Sequence, residues 1–224
     1  MSIAFDNSAK ADQTSGSSPF NLSWTHVVGA VTNPILVVFV YTQNTSTITS
    51  ITYNGSAMTF IASCTSFAGR QVLAYYITGV TGSHTVSVTA TGGGTVFLAG
   101  VSESLSGVQQ TLPVDTSGNS SSTSATSLSN TLAITNTGEW VVGGFASTGA
   151  TAITGTGGFN STTRNTAAIT GSGLVGLLDS NGTVTSGSHA YGGSYTGSAD
   201  DVGLVTVALL AGLVPANGNF LTFM

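Results

Sequence analysis

From Asn21 to Val28 the chain reads "NLSWTHVV", so that Leu22, Trp24, His26 and Val28 fall on every second position. An extended strand puts those four on one face, whereas a helix would scatter them around its surface. The same period of two recurs along the chain and a helical period is almost absent, which confines the fold to the all-β class. "ILVVFVY" at 35 to 41 is apolar at successive positions, as a central strand covered on both faces requires, and Pro34 stands at its entry, where a missing donor costs least. These two segments are expected to be neighbours in one sheet. Asn54-Gly55 lies between two β-rich runs, and both residues tolerate positive φ, so a tight hairpin is expected there.

"RQVLAYYIT", "HTVSVTA" and "GTVFLAGVSESLSG" follow, separated by the glycine-bearing turns "GVTGS" and "TGGG". Turn signals at intervals of roughly ten residues point to a sandwich. The expected architecture is one antiparallel two-sheet sandwich of jelly-roll type, a single domain over residues 1–214, followed by an apolar tail at 215–224. "DTSGNSSSTSATSLS", residues 115–129, reads as a long surface loop, since Leu128, Leu132 and Ile134 resume a period-2 face directly after it. Glycine-rich loops are expected between 147 and 173, and a hairpin in "LLDSNGTVTS" with Asn181-Gly182 at its turn. No repeat of fixed period stands out; the likeness of "TVFLAGVSESL" to "DVGLVTVALLAG" is read as two core strands of similar burial.

Of the 224 residues only 5% are charged, against about a quarter in ordinary soluble domains, so the surface must be rich in hydroxyls, amides and the 30 glycines. A 41% hydrophobic content with clear strand patterning argues for a packed core rather than disorder. The three cations, Lys10, Arg70 and Arg164, form no basic stripe, so nucleic acid is not an expected partner. Cys64 is the one cysteine, which excludes an intramolecular disulfide and reads as a small buried thiol. The longest apolar runs fall short of the ~20 residues of a spanning helix, so no membrane partner is expected. The opening "MSIAFDNSAKADQ" lacks the basic start and unbroken apolar stretch of a secretory signal, and synthesis without export is the expectation.

No constellation in the sequence declares a reaction, and the chain is expected not to be an enzyme and to need no cofactor. "GSGLVG" at 171–176 has the spacing of a nucleotide-binding loop, but "LLDSNG" turns too soon for the helix that such a loop needs. His26, His84 and His189 are the candidate bases for serine chemistry. His26 reads as a hydrogen-bonded core residue, His84 as opening a strand and His189 as lying in a loop, with nothing to join them. Soft or imidazole ligands at zinc spacing are absent, and Asp179, Asn181, Asp200 and Asp201 read as turn residues before they read as calcium ligands. Trp24 and Trp140 sit in apolar runs and are assigned to the core. Tyr191 and Tyr195 in "YGGSY" are the candidate stacking platform for a glycan. The sequons at Asn21, Asn54 and Asn160 are what this composition yields by chance.

The run "SWTHVVGAVTNPILVVFVYTQ…ITSITYNGSAMTFIAS…RQVLAYYITG…GSHTVSVTA…GVSESLSGVQQTLPVD" resembles a pattern of phage structural proteins that also occurs in secreted bacterial β-sandwich modules. The resemblance covers about residues 3 to 115, and its motifs are structural, with no catalytic residue to carry over. It implies a virion protein made in the host cytoplasm. Its expected role is capsid decoration or cement, binding the major capsid protein or copies of itself, with a homotrimer to be tested. A tail-fibre, or a secreted adhesin or carbohydrate-binding module, is the alternative. The sequence departs from the pattern in its end, "LVPANGNFLTFM", where Phe220, Leu221, Phe223 and Met224 are the candidate assembly contacts.

Overall fold

The computed structural model describes residues 1–43, 46–67, 69–160, 162–169 and 173–213. Among them the first half of the chain forms β1 (Ala4–Ser17), β2 (Phe20–Val28), β3 (Ile35–Gln43), β4 (Thr47–Tyr53), β5 (Ser56–Ala57), β6 (Thr59–Phe67), β7 (Arg70–Thr78), β8 (Gly82–Thr91) and β9 (Thr95–Ser106). The second half forms β10 (Val114–Ala125), β11 (Ser127–Ile134), β12 (Trp140–Ser147), β13 (Ala152–Gly157), β14 (Thr163–Ile169), β15 (Gly173–Asp179), β16 (Gly187–Thr196) and β17 (Asp200–Leu209). The all-β antiparallel class follows as the period of two requires.

Among the described residues the sheets number four rather than two. The first half pairs as β1-β9-β3-β7-β6 and β2-β8-β4-β5, the second as β10-β17-β12-β15-β14 and β11-β16-β13. With the two-residue β5 taken as the lead-in to β6, both halves have the same order: strands one, eight, three, six and five in one sheet, and two, seven and four in the other. That is a jelly-roll-like sandwich made twice, with the fifth strand beside the sixth instead of beside the fourth. The layers stack in the order β2 sheet, β1 sheet, β10 sheet, β11 sheet, because one core joins Leu22 and Trp24 to Leu36 and Val38, a second joins Phe39 and Val101 to Val142 and Val205, and a third joins Phe145 and Leu204 to Tyr191.

Register makes the correspondence residue by residue. Ile35 pairs with Leu105 as Trp140 pairs with Leu209, which matches Phe39 to Gly144, Ser102 to Thr206 and Tyr76 to Asp179. Each first strand has an extra residue at the same place, Asp6 and Asp115, and each of these carboxylates accepts the backbone N–H just past the second strand, Gly29 at 2.8 Å and Thr135 at 3.0 Å. The contacts between halves also exchange: β1 lies against β14 as β10 lies against β6, and β9 against β15 as β17 against β7. A two-fold interface has this property, so the halves meet as the subunits of a symmetric dimer would. Where they cross, Phe39 occupies the space that Gly144 leaves, since a Cβ there would fall 2.5 Å from the ring.

Several local expectations change. "NLSWTHVV" and "ILVVFVY" are not neighbours in a sheet but face each other across the first core, as β2 and β3. Residues 115–129 are not a loop: β10 and β11 hold them, because β10 is an edge strand paired to β17 by its backbone and needs no aliphatic side chains. The glycine-rich region yields β13 and β14. Asn181-Gly182 makes a turn, with Asn181 at φ 48°, but β15 and β16 belong to different sheets, so no hairpin forms there. The Asn54-Gly55 turn is present, at φ 51° and 78°, closing β4 onto β5.

Candidate functional site

Three polar or apolar clusters were built by this packing. The first lies inside the first half. Trp24 Nε1 donates to Ser102 Oγ at 2.9 Å, and Ser102 Oγ stands 2.8 Å from His26 Nδ1. His26 Nε2 is 3.1 Å from Ser104 Oγ, which donates to Asp6 Oδ2 at 2.7 Å. Ser104 gives its one proton to Asp6, so Nε2–H donates to Ser104 and Nδ1 is left as the acceptor facing Ser102, whose hydroxyl also lies 3.3 Å from Ala9 O. Burial pushes the imidazole down to about 4, with Asp6 pulling weakly the other way, so the ring is neutral at ordinary pH. Ser, His and Asp are thus in one chain, but His26, Ser102 and Ser104 are fully buried, and the carboxylate reaches the imidazole only through Ser104. The hydroxyl cannot be presented to a substrate; the cluster ties the β2 sheet to the β1 sheet. In the second half Thr206 makes the matching bond to Asn130 at 2.8 Å, with Leu132 in place of His26.

The second cluster lies on the seam between halves. Glu103 on β9 and Asp179 on β15 are both fully buried. Asp179 accepts Arg164 Nε at 2.7 Å and the Asn181 N–H at 3.0 Å, and the Arg164 guanidinium lies 4.2 Å over the Phe5 ring. Neither Glu103 carboxyl oxygen has an ordinary donor. Burial raises its carboxyl well above the usual range, and the neighbouring Asp179 charge raises it further, against a smaller opposing pull from Arg164. Glu103 therefore holds its proton above the usual glutamate range, with the Asp179 carboxylate as the neighbour able to accept it.

The third is an open groove at the related edge of the other side. Matching of the bulges in β6 and β14 puts Ile61 where the seam has Arg164, Tyr76 where it has Asp179, and Val114 where it has Phe5. With Thr59, Phe60, Leu112 and Ser117 they line a cavity of about 220 Å³. Phe60 is 51% exposed and Leu112 76%, which with Leu213 makes them the most exposed large apolar side chains among the described residues. The sequence reading passed over these residues. The available signal was Leu112 in "QQTLPVD", an apolar residue in a connector that needs none.

The residues expected to carry chemistry are otherwise dispersed. Tyr191 and Tyr195 are only 1% and 7% exposed, so they fill the third core and offer no stacking platform for a glycan; the Tyr195 hydroxyl donates to Ser198 O. Tyr191, Gly193 and Tyr195 share the inward face of β16. His84 is the register partner of His26, and His189 is not in a loop but on β16 at the position matching His84. The part of "GSGLVG" that is described, 173–176, runs on in β15 with no helix after it. Lys10, Arg70 and Arg164 pair with Asp12, Asp201 and Asp179. Cys64 is buried, and its thiol donates to Ser120 O. Among the described residues no group of three or more His, Cys, Asp or Glu is placed to hold a metal, and no helix is long and apolar enough to cross a membrane. Phe220, Leu221, Phe223 and Met224 lie outside the described residues. No family model matches the chain, and no curated protein matches its sequence.

Proposed function

We propose that this chain is a non-enzymatic structural protein of a phage particle, a capsid decoration or cement protein that binds neighbouring capsid subunits or copies of itself. It would fold in the host cytoplasm and leave within the virion. The observation that carries this reading is the contrast of its surfaces among the described residues: a sparsely charged coat rich in hydroxyls interrupted by an apolar groove at the seam, while its histidine–serine cluster and its paired carboxyls are buried. Adhesion to a protein surface needs an apolar centre with a polar rim, and the groove with Thr59 and Ser117 at its margin has that form. The four-layer stack supports it too, because two jelly rolls joined through a continuous core resist dissociation without disulfides. The glycan-binding alternative loses support with the burial of Tyr191 and Tyr195.

Co-sedimentation of the purified chain with capsids of the phage that encodes it is the test. Saturable binding at a fixed number of sites per capsid is expected, and deletion of residues 217–224 should abolish it while thermal unfolding stays cooperative. Capsids that pellet without the chain at micromolar concentration would refute the reading, as would a gene lying among glycan-utilisation genes rather than beside those for capsid and portal.

A further inference from the structure

The two edges of the seam are related by the exchange of halves, yet they end differently. On one, Arg164 reaches across from β14, stacks on Phe5 and is held by Asp179 and Asn181, so that edge is partly covered by its own side chains, with Phe5 still 37% exposed. On the other, Ile61, Tyr76 and Val114 stand at the matching positions and supply no such cover. Leu112 at its margin is held at φ 52°, in the left-handed region that branched apolar residues seldom occupy. The groove keeps Phe60 and Leu112 more exposed than Phe5 is at the twin edge, and an occupant would cover them.

We infer that the groove formed by Phe60, Ile61, Tyr76, Leu112 and Val114 is the docking site for the apolar end of the same chain, residues 220–224. The described chain stops at Leu213, which shares a cavity with Gln109, Gln110 and Thr111, and the next residue along that connector is Leu112. Leu213 is itself 81% exposed, so the chain leaves it at the surface. Phe220 follows seven residues after Leu213, a reach of roughly 25 Å when extended. The segment "VPANGNFLTFM" carries no charged side chain, and neither does the groove, so docking strips no charged side chain of its water. Tethering over so short a link raises the local concentration to the millimolar range, enough for a modest apolar contact to stay made. A filled groove would meet a neighbouring subunit as one apolar face made of groove and tail together, and the inference rests on the exposure of the groove rather than on the particle reading.

The test uses the full chain with two substitutions, Leu112→Cys and Phe223→Cys, oxidised under dilute conditions and read by intact mass and peptide mapping. An intramolecular disulfide between the two introduced cysteines is expected, forming much faster than a link in the control Thr25→Cys/Phe223→Cys, whose first site lies on the outer face of β2. Adding Phe60→Asp to the first pair should slow the reaction roughly tenfold, because it removes an apolar wall of the groove. Equal rates in pair and control would overturn the inference. A disulfide joining two copies would also overturn it, by making a second copy the donor.

Discussion

Replacing Glu103 by Gln isolates the proton held on the seam. Below the ordinary glutamate value of 4.5 the folded and unfolded chains both carry this proton, and the group adds no slope to stability. Above it the unfolded chain releases the proton while the folded chain keeps it, because burial and Asp179 hold the folded value well above 4.5. The unfolded state then binds one proton fewer, so the free energy of unfolding falls by about 1.4 kcal/mol for each pH unit until the folded group ionises. His26 acts in the opposite direction: its folded value is about 4 against 6.5, so its contribution is present above 6.5 and is lost as pH falls toward 4. The two slopes oppose each other between 4.5 and 6.5, which hides each of them in the wild-type curve. Glutamine is the size of glutamic acid and donates an N–H to Asp179 in place of the O–H, but does not titrate. Urea unfolding of both proteins at a series of pH values from mildly acidic to mildly basic therefore yields a difference free of the His26 contribution. That difference, variant minus wild type, should rise by about 1.4 kcal/mol per pH unit above the ordinary glutamate value. A difference that stays constant with pH would show that no proton is held there.

Other expectations follow from the packing. Gly144→Ala puts a methyl against the Phe39 ring and should cost about 1–3 kcal/mol in chemical denaturation, with Phe39→Leu in the same chain recovering part of it. His26→Ala leaves Ser102 and Ser104 without the imidazole that joins them and should cost roughly 1–3 kcal/mol, while in the wild type the His26 ring resonances should show no titration down to about pH 5. Asp6→Asn and Asp115→Asn remove equivalent charged acceptors from the two halves, and each should lower stability by about 1–2 kcal/mol with additive effects in the double variant, measured by thermal unfolding.

Much of the strand structure was legible in the chain, because its signals are local. The alternation of Leu22, Trp24, His26 and Val28 became the buried face of β2, and the doubly apolar 35–41 became a strand covered by a sheet on each side. Asn54-Gly55 turned where two residues able to adopt positive φ must turn. Trp24 and Trp140 went to the core, and the all-β class needed nothing beyond the period of two. The groove residues were not legible, since Phe60, Tyr76 and Leu112 come from three segments whose meeting depends on how the halves pack.

The doubling of the jelly roll belongs to the tertiary structure. Only a few matched positions keep their residue, such as Val101 with Val205, Leu105 with Leu209 and His84 with His189, because a core position asks for volume and apolarity and tolerates exchange. Even size and polarity are not kept at every matched position, since Trp24 matches Asn130 and the Phe39 ring fills the space left at its counterpart Gly144, so the repeat fades from the sequence while the backbone keeps it. The serine-rich β10 reads as a loop for a related reason: an edge strand is held by its ladder of peptide groups, which every residue type except proline supplies in full. Alternation along a strand says that one face is buried, but which sheet buries it, and whether Tyr191 meets solvent or Phe159, is decided by partners more than thirty residues away.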